Sequence, residues 1–321
     1  MNRLVVLVVV IGLFGWACAG DGESATATTS VVTITTLPPI TSATTTEATT
    51  STTTTTETPT TQGPVGEPFA IYVLGETATG EPGPFLVPVS RLSSGEEQID
   101  TEMAIRSLLG GLQALEVEAG LSTAVPAGSV LLEFAVADGV AIIDLNTEFE
   151  DGGPGGSFSA TAKLAQLVST ATRDAEVSAV RLLIEGEEVA LFSSEGLEIS
   201  GEMTREDFTS LWPAILVDDP VWGSEVAMPF TVAGIASVFE ATVQWALRDR
   251  EGAVLSTGFF TALDAIPAWG AFGGEIEADL SGLESDPTQS FDGSLVVWED
   301  GAESGAPLWE MIYPLTFTEL R

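Results

Sequence analysis

Apolar and polar positions change rhythm several times along the chain, and each rhythm predicts an element. Residues 69–74 and 85–90 are short apolar runs separated by a Gly- and Pro-containing stretch, the pattern of two strands joined by a loop. Ile105, Leu108, Leu109 and Leu112 then fall at i, i+3, i+4 and i+7 behind Asp100 or Thr101 as N-cap, so a helix is predicted there, stopped or kinked at Gly110-Gly111. A loop through Gly120 and Pro126 leads to runs 130–136 and 140–145. They flank Asp138-Gly139, a dipeptide suited to the tight turn of a hairpin. The rhythm recurs: Leu164, Leu167, Val168 and Ala171 share one face of a helix over 158–172, followed by runs 180–184 and 189–192 around Glu185-Gly186-Glu187. Helix plus hairpin thus occurs twice, at 101–145 and 158–192. The pattern predicts an α+β domain with two helices on one face of a sheet of hairpins.

Past Glu198 the rhythm shifts. Thr204 with Asp207 three places on reads as a capping box opening a short helix that must end before Pro213. Thereafter period two dominates: Phe239, Ala241, Val243, Trp245 and Leu247 alternate with polar or small neighbours, and a turn at 249–252 returns the chain into 253–260. Ile276, Ala278 and Leu280 alternate with acids, and runs 295–298 and 309–317 follow. Short strands with turns between them predict an all-β sandwich. The expected organisation is an α+β domain over 67–200, a connecting helix over 201–212 and a sandwich over 213–321.

The first 66 residues carry an address. Arg3 precedes the apolar run 4–14, which ends in Gly15-Trp16-Ala17-Cys18, the layout of a bacterial lipoprotein signal over 1–18 with Cys18 as the lipidated residue. Gly15 stands where such signals usually carry a Leu-like residue, and Trp16 is bulky. Ordinary secretory cleavage near Ala17-Cys18-Ala19 and a retained span are the other readings, although the run falls short of the roughly 20 residues a span needs. All three place the rest of the chain outside the cytoplasm. Residues 19–66 are rich in Thr, with Pro, Ser and Ala, and cannot bury enough apolar surface to offset ordering entropy. They read as a disordered tether reaching on the order of 100 Å when extended.

Charge and composition exclude much chemistry. The formal charge is −37, Lys163 is the only lysine, and no basic residue lies between Arg250 and Arg321. Such a surface repels phosphate backbones and anionic headgroups, so neither nucleic acid nor direct membrane contact is expected, and the membrane is reached through the lipid anchor. With no histidine and a single cysteine, Ser-His-Asp triads, Cys-His pairs and zinc sites built on His or Cys are ruled out. No cofactor is expected.

Asp144, Glu148, Glu150 and Asp151 form the densest acidic group before the sandwich, but a glycosidase also needs aromatics, and only Phe149 and Phe158 lie nearby. Asp144, Asn146, Glu148, Glu150 and Asp151 offer oxygens of the kind calcium takes, without the spacing of an EF-hand. The loop 152–156 is Gly-rich and precedes a helix, yet lacks the Lys-Ser/Thr of a P-loop. Trp212, Trp222, Trp245, Trp269, Trp298 and Trp309 could contribute to a sugar platform, with Trp245 the best candidate for the core and Trp222 and Trp269 for exposure.

Leu86-Val-Pro-Val89, Gly120 to Gly128, and Asp138 to Leu145 with Glu148-Phe149 resemble the GerMN domain of sporulation and germination proteins. Pro213 to Val217, Pro220, Val238 to Val243 and Gly258-Phe-Phe260 resemble the immunoglobulin-like domain of bacterial spore germination, which often follows it. The resemblance implies an envelope lipoprotein whose first domain is similar to ring-building modules, and it brings no catalytic residues. The expectation is a non-enzymatic, lipid-anchored protein that binds an envelope protein or cell-wall component. A homo-oligomer and a cell-wall glycan binder or weak carboxylate-dependent hydrolase are the alternatives.

Overall fold

In the computed structural model, which describes residues 66–93, 100–153, 155–199, 201–280 and 290–319, the first two apolar runs pair as an antiparallel ribbon. Strand β1 is Pro68–Gly75 and β2 is Phe85–Leu92, in register Ile71↔Val89. The signal segment with Cys18, and the linker up to residue 65, lie outside the described residues.

Helix α1 (Thr101–Leu109) is capped by Asp100, whose carboxylate accepts from the Met103 N–H at 2.9 Å, and it buries Ile105 and Leu108. The short α2 (Ala114–Glu118) follows. Strands β3 (Leu131–Ala137) and β4 (Val140–Leu145) form the expected hairpin, and the turn residues Asp138 and Gly139 sit at φ 52° and 80°, the left-handed pair that a tight primed turn requires. After α3 (Thr147–Asp151), α4 (Ser157–Ala171) crosses over to β5 (Ala179–Ile184), which lies parallel to β4. β4, α4 and β5 therefore form a βαβ unit, because a parallel neighbour needs a helical crossover.

The second helix-plus-hairpin differs from expectation on its return arm. β5 turns at Glu185-Gly186 into β6, which is only Glu187–Glu188. Residues 191 and 192 leave the sheet as β7 (Leu191–Phe192), pairing with β8 (Leu197–Glu198), while β9 (Glu202–Met203) takes the other end of β5. Phe192 explains the departure: it is fully buried against Phe149, ring centroids 5.8 Å apart, and Lys163 lies over its face.

One edge of β1 is closed by helix side chains. Thr170 Oγ1 accepts from the Tyr72 N–H at 2.9 Å, and Gln166 Nε2 donates to the Tyr72 carbonyl at 3.0 Å. Four residues apart on α4, they project together and stand in for a missing strand. Leu74 and Ser122 exchange backbone bonds just beyond.

A 3₁₀ turn over Arg205–Leu211, with Asp207 accepting from the Thr204 N–H at 2.8 Å, leads into eight strands. These are β10 (Ile215–Asp219), β11 (Glu225–Met228), β12 (Phe230–Ala236), β13 (Thr242–Asp249), β14 (Val254–Thr261), β15 (Gly270–Ile276), β16 (Ser290–Asp300) and β17 (Pro307–Glu319). They form one sheet in the order β10-β12-β15 and another in the order β11-β17-β16-β13-β14. Phe230 stacks on Phe317 and Phe260 on Phe272, at 6.3 and 5.7 Å, so aromatic pairs bridge the two sheets. Two expected strand limits move. Residues 239–241 form a kinked turn with Glu240 and Ala241 at φ 54°, so the strand starts at Thr242. β15 ends at Ile276 although Leu280 is buried, since alternation reports which side chains face inward and not whether a neighbouring strand is present to pair.

Candidate functional site at the seam between the α+β part and the sandwich

Three local arrangements hold the two parts together. The chain after β10 meets the outer edge of β2: the Trp222 N–H donates to the Pro88 carbonyl at 3.0 Å, and the Ser90 N–H to the Trp222 carbonyl at 2.8 Å. Proline fits at 88 because that edge uses its carbonyl and not an N–H.

The second arrangement is polar and centred on Tyr72. Its hydroxyl donates to Asp218 Oδ1 at 2.7 Å and accepts from Arg205 Nη2 at 2.6 Å, while the same guanidinium reaches Asp218 at 3.1 Å and lies over the Tyr72 ring. Arg173, just past α4, donates to the Asp218 carbonyl at 2.8 Å. Burial, reinforced by the Asp218 charge, pushes the Tyr72 hydroxyl well above the ordinary tyrosine range, so it stays protonated as the donor this geometry requires. Burial opposes the Arg205 charge, but Tyr72 and Asp218 more than offset it and raise its pKa.

The third joins the β1–β2 loop to β17. Glu81 accepts from Thr77, Thr79 and the Trp309 N–H at 2.6, 2.5 and 2.8 Å, and the Ala78 N–H donates to the Glu310 carbonyl at 2.7 Å. Trp309 packs edge-on against Phe85 at 5.5 Å.

Beside the first two arrangements opens a cleft of about 810 Å³, lined among others by Ser90, Leu92, Arg173, Asp219, Glu225 and Val226. A smaller hollow of about 340 Å³ shares Phe69 and Arg173 with it. Two of the cations near the cleft are committed: Arg173 to Asp218, and Arg91 to Glu116 in a buried bidentate pair. The Asp219 carboxylate makes no hydrogen bond to a described residue. Burial, with help from Asp218 and against Arg173, raises its pKa. Backbone edges, mixed polar and apolar walls and a carboxylate without a hydrogen-bond partner among the described residues suit this cleft to binding.

The acids singled out in the sequence are engaged elsewhere. Asp144 accepts from the Gly186 N–H at 3.0 Å, Asn146 bridges the Val130 N–H and the Gly128 carbonyl, and Glu150 accepts from the Ser193 N–H at 2.9 Å. Glu148 and Asp151 lie with Glu150 close enough to act electrostatically on Lys163, whose ammonium donates to the carbonyls of Glu150 and Gly152. Burial lowers the Lys163 pKa against the pull of those three acids. Among the described residues no three His, Cys, Asp or Glu side chains are grouped so as to hold a metal ion.

The tryptophans mostly pack. Trp245 stacks on Phe260, Trp212 meets Trp269 edge-on at 5.0 Å, and Trp222 and Trp269 are partly buried against the core, so neither is the exposed ring the sequence suggested. Tyr72, Arg173, Arg205, Asp218 and Asp219 were not singled out from the sequence. The available signal was scarcity: in a chain with only 10 Lys and Arg, an arginine directly after a helix and another inside a capping box are unusual choices.

The architecture is thus that of an α+β domain bonded to an immunoglobulin-like sandwich. Residues 70–190 match the family described as sporulation and spore germination, and residues 214–306 match the immunoglobulin-like domain of bacterial spore germination. The two matches follow one another along the chain in that order. Among solved structures, it is similar to the first GerMN domain of the sporulation protein GerM from Bacillus subtilis, at 20% identity over 43% of this chain and 99% of that one, TM-score 0.35. The tandem GerMN domains of the same protein match at 17% identity over 66% and 62%, TM-score 0.34. A Clostridium perfringens protein provisionally described as a lipoprotein matches at 22% identity over 46% and 93%, TM-score 0.31. No curated protein matches. Among the described residues no helix is long and apolar enough to cross a membrane.

Proposed function

We propose that this chain is a non-enzymatic binding module of the bacterial envelope, anchored through a lipid on Cys18 and carried clear of the membrane by residues 19–66. It engages its partner at the cleft beside the seam. One observation carries this reading: the α+β part and the sandwich are bonded to each other around an open cleft, while the acids between residues 144 and 151 are engaged with backbone N–H groups and the surroundings of Lys163. The partner is a protein or wall component displayed outside the cytoplasmic membrane.

Fractionation of bacterial cells expressing the full chain tests the anchor. The wild-type chain is expected in the membrane fraction and Cys18→Ala in the medium; equal retention of both would remove the lipid. For the binding role, a photo-crosslinking residue at Glu225 should capture an envelope component that the same residue at Glu303, an exposed position outside the cleft lining, does not. Release of soluble sugar from purified cell wall, lost in Asp144→Ala/Glu148→Ala, would replace this reading with hydrolysis.

A further inference from the structure

Two walls of the cleft are strand edges that pair with no other strand among the described residues, and their hydrogen-bond phase can be read residue by residue. On β2, the odd positions bond to β1, as the Ser93–Glu67 bond just past the ribbon confirms, while Pro88 and Ser90 bond outward to Trp222. By the period-two alternation of a strand, the N–H and carbonyl of Leu92 also point outward. There Trp222 no longer covers them, because the chain has turned away at Gly223 to bond Pro314.

β11 shows the same thing from the opposite wall. Among the described residues it is the terminal strand of its sheet and pairs only with β17, in parallel. The Thr316 N–H donates to the Ser224 carbonyl, which fixes the phase: even positions of β11 face β17, and the N–H and carbonyl of Glu225 and Ala227 face away from it. β2 and β11 therefore splay from a common bridge at Val89 and Trp222, with Leu92 and Glu225 among the residues lining the space between them.

We propose that this space takes up an extended peptide segment of a basic envelope protein, which adds as a strand between β2 and β11. This rests on the reading of the chain as a binding module and names the class of its partner. Volume, hydrogen bonding and charge agree. A strand residue occupies about 3.3 by 4.8 by 10 Å, or roughly 160 Å³, so a cleft of about 810 Å³ holds about five residues. The outward groups of Leu92 on one wall, and of Glu225 on the other with Ala227 continuing its edge beyond the cleft, offer backbone hydrogen bonds to each side of the incoming strand. Asp219 and Glu225 are the side chains left to meet charge, Arg173 and Arg91 being held by Asp218 and Glu116, and the chain as a whole carries −37. The same charge sets a second copy of this chain at a disadvantage as occupant.

The test uses the full chain in detergent and a fluorescent nonapeptide alternating Lys with Val and Thr. It is compared with a version carrying Pro at two central positions and one with Glu for Lys. Saturable binding is expected for the basic peptide, with both controls weaker by about tenfold or more. Leu92→Pro removes one outward N–H without touching the ladder to β1, where that N–H takes no part, and should weaken binding by about tenfold at unchanged Tm. Asp219→Asn should weaken it several-fold and flatten its salt dependence. Hydrogen exchange must slow at Leu92, Glu225 and Ala227 on peptide addition. Equal binding of the Pro peptide, unchanged exchange at those amides, or no binding at all would overturn strand addition. Capture of a partner by the Glu225 crosslink would survive that result, because a folded partner or a glycan can fill the cleft without pairing to its edges, so the two readings fail separately.

Discussion

At the scale of single residues, the Tyr72 hydroxyl bonds both a carboxylate and a guanidinium that also meet each other directly. Tyr72→Phe keeps the buried ring and the Arg205–Asp218 pair, and is expected to cost about 1.5–3 kcal/mol, the range for losing a hydrogen bond to charged partners. Arg205→Met should cost more, about 2–4 kcal/mol, because it leaves the partly buried Asp218 with less cationic support. Urea midpoints for the two variants check the ranking, and the reverse order would mean that the ion pair holds the seam without the tyrosine. Glu81 provides a pH handle of known sign. Burial works to raise its pKa, but hydrogen bonds from Thr77, Thr79 and Trp309 win, and it lies below the ordinary glutamate value. A carboxyl depressed in the folded state contributes stability that is fully present above its unfolded value, about 4.3, and is lost as pH falls through the lower folded value. Wild type should therefore lose Tm more steeply than Glu81→Gln on acidification below about pH 4.5, with the difference between them shrinking toward pH 3.

At the scale of elements, α4 both fills the core and completes β1. Gln166 is fully buried, bonds the Tyr72 carbonyl, and accepts from the Ala124 N–H at 2.8 Å. Gln166→Leu preserves volume but strands two buried backbone groups, so a loss of about 2–4 kcal/mol is expected. Thr170→Val strands only the Tyr72 N–H and should cost about 1–2 kcal/mol, with the Tyr72 amide exchanging faster. A stability near wild type for Gln166→Leu would show that β1 keeps its place without this helix. This closure also marks where sequence reading stops. Ile105 and Leu108 give α1 away because burial and periodicity coincide, and Asp138-Gly139 gives the hairpin away because few dipeptides tolerate two left-handed residues. Gln166 and Thr170 sit within an apolar helix face and read as tolerated polar residues, since their partner is a strand 94–98 positions earlier. The parallel pairing of β4 with β5 was hidden for the same reason: a run such as 180–184 shows which side chains face inward and says nothing about strand direction. The cleft was the least legible feature, because unpaired edges are a property of where neighbouring strands end.

At the scale of the whole molecule, the three seam arrangements predict that the α+β part and the sandwich unfold together. Calorimetry of the wild type should give one transition, whereas combining Arg205→Met with Glu81→Gln should broaden or split it. Millimolar calcium should leave that transition where it is, since Asp144, Asn146 and Glu150 already serve backbone groups. The net charge of −37 makes a further prediction in which stability and binding respond to salt with opposite signs. The ion pairs among the described residues are few, and apart from Arg91–Glu116 they are partly or well exposed. Such exposed pairs contribute little, so screening them costs little. The unpaired acids repel one another in the compact state, and raising salt from about 0.02 to 0.5 M shortens the screening length from roughly 20 Å to about 4 Å. Tm should therefore rise by a few degrees, as expected for relief of about 1–2 kcal/mol in a protein of this size. Over the same range, affinity for a basic strand at Asp219 and Glu225 should fall, because its attraction is screened by the same ions. If both quantities fell together, the ion pairs would outweigh the repulsion in holding the fold. If both rose, attraction to a basic segment would not be what the acidic surface supplies.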